Sequence, residues 1–425
     1  MILNDSDIIH LLNRFGFGAD ADSVKHFRLT QFYDMLFPKR ADEIKWPSDI
    51  KALKAEAIQN MVNSRNAPYE KLVLFWHHYF SCIIDNAKHA TLFSKVIRKH
   101  AFGNFRDLLL GISKSAAMLH FLNGKKNKAG SPNENFAREL CEIYTLGEGN
   151  GYTEKDIKEI ARCFTGWKYD DTGTFYLREK QFDSGIKTIF GKQGEYSGED
   201  IVELILNRPE CAHYLAEKMY TFFVNDRLSK RCVIEIRDCL IRTHFDLQKT
   251  FTFIISAKWF YSDHNKMALI KSPIELIVGL GRTFRLKAVK ENNWFFVQKL
   301  LNHEFYKPKN VKGWPIGREW IDSNSLTLRM HLPQLIFGNN DINFELHADL
   351  DQSPGSKKFV YLKNRLKFKA DWKHFLESSQ EVSPEKLWFN SKASSVATNI
   401  IENHKGIISK KATLDLLSLP EYQMH

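Results

Sequence analysis

No two cysteines in this chain are spaced as CxxC. Cys82, Cys141, Cys163, Cys211, Cys232 and Cys239 are scattered. That spacing argues against a compact zinc knuckle and leaves them as buried small apolar residues or free thiols. No uncharged apolar run reaches membrane-spanning length, and the stretch 251–260 is too short. The opening MILNDSDIIHLLNRFGFG has neither a basic leader nor an uninterrupted apolar stretch, so no secretory signal is visible and a cytoplasmic location is expected. HExxH, GxSxG, Walker A and dinucleotide-binding patterns do not occur. The zinc-protease, serine-hydrolase, P-loop and Rossmann mechanisms therefore have no direct support. There is no fixed-period repeat.

What the chain does have is bulk and aromatic content. Its 425 residues are 43% apolar and 13% aromatic, with 32 Phe, 14 Tyr and 9 Trp, which places it among ordered globular proteins with an aromatic-rich interior. The formal charge is +11. Surplus lysine is dispersed apart from short basic runs at 125–128 and 363–373. General basicity attracts polyanions, but no reading module accompanies it, so specific nucleic-acid recognition is not expected.

Periodicity is mostly helical. An Asp5/Ser6/Asp7 cap signal opens a helix running to about Arg14, and Phe15-Gly-Phe-Gly18 breaks it. Helices follow over 49–63, 69–80, 88–100 and 104–120, and over 199–207, 209–225 and 229–244. Phe251–Trp259, Pro273–Leu286, Ser323–Met330, Thr398–Glu402 and Ala412–Leu419 add more. The stretch 169–194 alternates aromatic and polar residues between turn signals and reads as a short hairpin or extended excursion. The expected fold is mainly α, a multi-helical globular protein with that small excursion. The segments are drawn as 1–167, 168–335 and a peripheral C-terminal extension 336–425, within which 336–368 reads as an insertion.

Polar residues concentrate in Ser131–Trp167. In the helix opening at Pro132, Glu134, Arg138 and Glu142 form an i, i+4, i+8 row, with Asn135 and Glu139 on the next. This is either a salt-bridged structural helix or a cleft wall, with Glu134 or Glu139 as acid or base and Arg138 holding an anionic group. Glu139 lies near the core face, so its truncation is expected to cost more than that of an exposed glutamate. The Gly147/Gly149/Gly151 turn reads as a connector, and Thr153 with Asp156 as a cap for the next helix. His77 and His78 point about 100° apart on their helix and cannot form a same-face metal pair; either one could face Glu134 or Glu139 as a base or ligand, or be a satisfied core histidine. In Asn310–Trp320, Trp314 and Trp320 would form an aromatic wall and Arg318 would supply polar specificity; alternatively the tryptophans lock a connector onto the core.

Together these motifs resemble the DUF1800 family of bacterial proteins. The resemblance is carried by HLLNRFGFG at 10–18, WHHYF at 76–80 and the whole of 131–167. FDSGIKTIFG at 182–191, KSPIELIVG at 271–279, PKNVKGWPIGREWID at 308–322 and LSLPEYQ at 417–423 continue it. The resemblance brings no settled activity. Many relatives carry HDxGxK where this chain has Phe182-Asp-Ser-Gly-Ile-Lys187, so a mechanism using that histidine is not expected here. A genomic association with DUF1501 proteins is typical of the family and implies a DUF1501-type protein partner.

Two functional expectations follow. One is a hydrolase-like enzyme acting on a polymeric or anionic substrate. Glu134, Glu139, His77 and His78 would be its catalytic groups, a divalent metal ion its candidate cofactor, and Arg138, Trp314, Arg318 and Trp320 its substrate contacts. The other is a non-catalytic protein- or polymer-binding assembly factor.

Overall fold

The computed structural model describes residues 2–38, 43–337, 366–390, 392–403 and 408–425. Most of the insertion expected over 336–368, and part of the second basic run, lie outside those residues. The chain divides into two units that are each discontinuous in sequence. Unit 1 gathers Met1–Lys71, Lys258–Phe305 and Pro315–His425, and unit 2 comprises Leu72–Ala257 and Tyr306–Trp314.

The mainly α expectation holds. Among the described residues, strands occur only as three two-stranded antiparallel pairs. The extended excursion resolves into two hairpins in unit 2, Trp167–Tyr169 with Phe175–Leu177 and Lys187–Ile189 with Lys192–Gly194. The third pair, Lys287–Ala288 with Phe368–Lys369, belongs to unit 1.

Helix ends follow local side-chain chemistry. The single helix expected over 104–120 is two, Phe105–Ser113 and Ala116–Phe121, because Ser115 Oγ accepts the Met118 N–H at 3.3 Å and starts a new helix. The Thr153/Asp156 cap is present. Thr153 Oγ1 accepts from Asp156 N at 3.2 Å, and Asp156 Oδ2 accepts from Thr153 N at 2.8 Å. The other Asp156 oxygen accepts the Phe190 N–H at 2.7 Å and ties the second hairpin to this helix.

The Ala67–Tyr79 helix carries Phe75 and Trp76 into an aromatic core with Phe105, Phe223 and Phe251 of unit 2. In unit 1 the Pro273–Thr283 helix starts on a Ser272/Glu275 capping box. A Cβ at Gly279 would come within 2.7 Å of the Phe17 carbonyl oxygen, so glycine lets this helix lie against the Phe15–Gly18 turn. Among the described residues no helix is long and apolar enough to cross a membrane.

Candidate functional site

In unit 2 the helix expected from Pro132 begins at Asn135, because Asn133 Oδ1 accepts the Asn135 N–H (3.1 Å) and holds the preceding turn. The charged row is present. Arg138 donates to Glu134 Oε2 at 3.3 Å and to Glu142 Oε1 at 3.2 Å. It also forks onto both oxygens of Glu154, at 2.8 and 2.7 Å, from the first turn of the Glu154–Cys163 helix. These two bonds, donated to Glu154, raise the guanidinium pKa further and hold the Glu154 carboxyl below its usual range. Glu154 was not foreseen because it lies across the glycine-rich turn. A guanidinium shared by three carboxylates has little charge to offer an incoming anion, and at 33% side-chain exposure these pairs act as a modest clamp between helices.

Glu139 is placed differently. It ends the α-helical turn, and the backbone from Leu140 to Thr145 is π-helical. Such insertions recur at functional sites. The Glu139 Oε2 atom is buried without a hydrogen-bond partner. Burial, reinforced by the Glu142 charge, pushes this carboxyl up, against the pull of Arg138 and Lys312. Lys312 comes from the Tyr306–Trp314 segment, with Nζ 3.5 Å from Glu148 Oε2. It also acts on Lys218, whose amine is pushed down by burial. Lys218 Nζ sits 5.0 Å from the centre of the Tyr214 ring, and burial raises the Tyr214 phenol to about 12. Gly147, at φ +88°, brings the turn against that ring, where a Cβ would lie 2.8 Å from Cδ2.

Lys312 thus acts both on a carboxyl whose pKa is raised and on an amine whose pKa is lowered, in each case mainly by burial. Because the Glu139 pKa is raised on folding, its favourable contribution is present below the ordinary carboxylate range and lost as pH rises through the folded-state value. Glu139→Gln is accordingly expected to be neutral or stabilising at pH 7, by at most about 1 kcal/mol after screening. The difference should vanish below about pH 4. Urea midpoints at the two pH values check this, and a clear loss of stability at pH 7 would sink it.

The two histidines pack on one tryptophan. His77 is buried, and its Nε2 accepts the Tyr306 N–H at 3.4 Å, which places the proton on Nδ1. Its ring centre is 5.0 Å from that of Trp314. His78 stacks on the same indole at 5.1 Å and 25°. The link between the histidine helix and the π-helical segment runs through tyrosines. Tyr79 Oη donates to the Tyr144 carbonyl at 2.8 Å, and Tyr144 Oη donates to the Ser81 carbonyl at 3.2 Å. Ser81 Oγ in turn donates to Val311 O at 2.8 Å and anchors the segment that holds Lys312. Among the described residues no group of three or more His, Cys, Asp or Glu side chains is placed to hold a metal ion.

A family model described as a protein of unknown function, DUF1800, matches residues 10–424. The chain belongs to the DUF1800 family. No curated protein and no solved structure matches it.

In this DUF1800 chain the Phe182–Lys187 motif builds a turn tied through Arg162 to the Glu154–Cys163 helix. Asp183 accepts from Arg162 Nε and Nη2 at 2.8 and 3.1 Å, and Lys187 Nζ caps the Asp183 and Gly185 carbonyls at 2.6 and 3.0 Å. Trp314 belongs to unit 2 and Trp320 to unit 1, and they are 6% and 7% exposed, so neither offers an open indole face. Trp320 stacks on His303 at 4.7 Å, and Arg318 beside it is exposed.

Sequence reasoning missed a second polar site, in the interior of unit 1. Three of the resemblance motifs converge there: His10–Gly18, Lys271–Gly279 and the segment ending in Gln423. Lys71 is ion-paired with Glu275, and Glu275 Oε2 also accepts the Ser272 N–H at 2.6 Å. His425 Nε2 lies 3.8 Å from Glu275 Oε1, while its Nδ1 is 3.1 Å from the Asn13 carbonyl. Lys271 Nζ donates to Tyr422 O at 2.7 Å, and Arg329 Nε donates to Gln423 Oε1 at 3.1 Å. Each residue looked unremarkable in its own segment. The one usable signal was a charged residue set in each of several otherwise apolar motifs.

Proposed function

We propose that this DUF1800 protein is a hydrolase-like enzyme in which Glu139 is the proton-transfer group and Lys312 and Lys218 draw an anionic substrate. The observation that carries the reading is the buried, unpartnered oxygen of a carboxyl whose pKa is pushed up, at the start of a π-helical segment. A carboxyl whose pKa is raised by burial can protonate a leaving group in its neutral form, and its ionised form can accept a proton from water. Lys312 takes the anion-holding role first expected of Arg138, whose charge is shared among three carboxylates. Glu134 belongs to that clamp. His77 and His78 pack on Trp314, two residues after Lys312, and the reading needs no metal.

The test is turnover of chromogenic phosphate, sulfate and carboxylate esters and of anionic glycosides by the wild type, Glu139→Gln and Lys312→Met. The expected result is turnover of one class by the wild type, a loss of about 10²-fold or more in Glu139→Gln, and a raised KM in Lys312→Met. Turnover that Glu139→Gln retains, or none of any class by the wild type, overturns the reading. The saturated Arg138 clamp and the buried tryptophans favour the second reading, a non-catalytic assembly factor. Its support would be co-elution with a DUF1501-type protein that Glu139→Gln leaves unchanged.

A further inference from the structure

The Pro273–Thr283 helix ends beside an open pocket of unit 1. Its volume is about 160 Å³, and its lining comes from three stretches remote in sequence, around Asp20, Arg282 and His374. Local chemistry fixes each wall. Phe284, just past the helix, packs on Phe375 with ring centres 4.5 Å apart. Its carbonyl accepts the Asp371 N–H at 2.9 Å, so the Trp372–Ser378 helix starts against it. Asp20 caps the short Ala21–Lys25 helix, accepting from the Ser23 N–H and the Ser23 hydroxyl, both at 2.8 Å.

Both signs of charge line this space, and much of the hydrogen-bonding capacity is uncommitted. Arg282 bonds through Nη1 alone, to the Met61, Val62 and Ser64 carbonyls at 2.8 to 3.1 Å. Among the described residues its Nε and Nη2 groups have no acceptor, and both remain accessible. These two form one edge of the guanidinium, the pair that a bidentate contact with a carboxylate uses. Burial presses the Arg282 pKa down, and the Asp20 and Glu70 charges act against that. Arg285 is exposed, sits in the left-handed region at φ 46°, and makes no side-chain hydrogen bond or ion pair with the described residues. The same lining holds the Asp20 and Asp22 carboxylates. Ser378 and Ser379 donate their hydroxyls to the Phe375 carbonyl, which leaves their oxygens as acceptors.

We propose that this pocket binds a small zwitterion, a free α-amino acid with a short side chain. Its carboxylate lies on the Arg282 and Arg285 guanidinium groups, and its ammonium faces Asp20 and Asp22. Charge decides the class. A simple anion would gain two guanidinium groups but meet two carboxylates, and a simple cation would meet the reverse. A ligand carrying both signs a few atoms apart complements all four. Size sets the limit, because a cavity of about 150 Å³ takes a benzene-sized molecule of about six non-hydrogen atoms, as many as alanine has. The site lies wholly in unit 1 and does not depend on the Glu139 reading in unit 2.

The experiment titrates the full chain with glycine, L-alanine and L-serine by calorimetry. Runs at about 15 and 30 °C ensure that a heat which vanishes at one temperature shows at the other. Acetate and ethylammonium, which carry the two charges on separate molecules, are the controls. The expected result is saturable one-to-one binding of at least one amino acid with a Kd of about 1 mM or below, at least about tenfold tighter than either control. Asp20→Asn keeps an equally good helix cap, and Arg285→Gln alters an exposed side chain, so both variants should fold. Each removes a charged partner of the ligand and is expected to weaken amino-acid binding by about tenfold or more. No binding of any of the three amino acids, a control that binds as tightly, or wild-type affinity in either variant overturns the proposal.

Discussion

Glu275→Gln is expected to destabilise the protein by about 3–5 kcal/mol, because it leaves the fully buried Lys71 ammonium without its counter-charge. Glutamine keeps the shape and an acceptor for the Ser272 N–H, so the loss reports charge rather than a cavity. Removing both charges is a different case. Lys71→Met combined with Glu275→Leu exchanges a desolvated pair for apolar volume, and the double variant should recover most of what the single one loses. Urea midpoints with unchanged slopes measure both. A Glu275→Gln protein within about 0.5 kcal/mol of the wild type would mean that Lys71 sheds its proton at little cost.

The same pair fixes a pH dependence. Burial alone would raise the Glu275 carboxyl, but Lys71 and His425 attract its charge and Lys71 and the Ser272 N–H donate to it, holding it well below the usual carboxylate range. A depressed carboxyl pKa gives stability that is fully present above the unfolded-state value, about 4.3, and that is lost as pH falls through the folded-state value. Glu275→Gln should therefore cost most near neutrality and progressively less in acid. Lys271 pulls on the other side. Its folded pKa of about 7 lies below the unfolded value, so between roughly pH 7 and 10 stability rises with pH. Together they predict a wild-type optimum on the alkaline side of neutrality.

How much of this was legible is decided by the range of the interaction. Caps and turns are local, so the Thr153/Asp156 box and the position of the hairpins could be read from neighbouring residues. The Glu134–Arg138–Glu142 row is local too, because four residues bring side chains to the same helix face. Glu154 completes that clamp from 16 positions away, across a turn whose path depends on three positive-φ glycines. The π-helical segment was invisible for another reason. Leu140–Thr145 has an ordinary helical composition, and the long-range bond within it, from Tyr144 Oη to the Ser81 carbonyl, joins residues 63 apart. The unit 1 cluster is least local of all. Lys71 and Glu275 are 204 residues apart, and nothing within either segment indicates the other.

Trp76→Ala should bring the other large loss, again about 3–5 kcal/mol. The indole is fully buried, packs against Phe75, Phe80 and Phe105 at 4.6 to 6.1 Å between ring centres, and donates its Nε1–H to the Ala101 carbonyl at 2.6 Å. Truncation opens a cavity in the aromatic core and leaves that carbonyl unpaired. Trp76→Phe fills most of the volume and loses mainly the hydrogen bond, so it should cost nearer 1–2 kcal/mol. The consequence for the candidate site is more specific than the loss of stability. Trp76 sits one residue before His77 and three before Tyr79, whose hydroxyl holds the Tyr144 carbonyl in the π-helical segment after Glu139. Loosening that helix should admit water to the Glu139 carboxyl, and because burial is the main cause of its raised pKa, the value should fall toward the ordinary range. A carboxyl ¹³C titration of folded Trp76→Phe beside the wild type tests the link. If the Glu139 midpoint does not move while stability drops, the tyrosine tie does not position Glu139, and the raised pKa belongs to its own helix and Glu142.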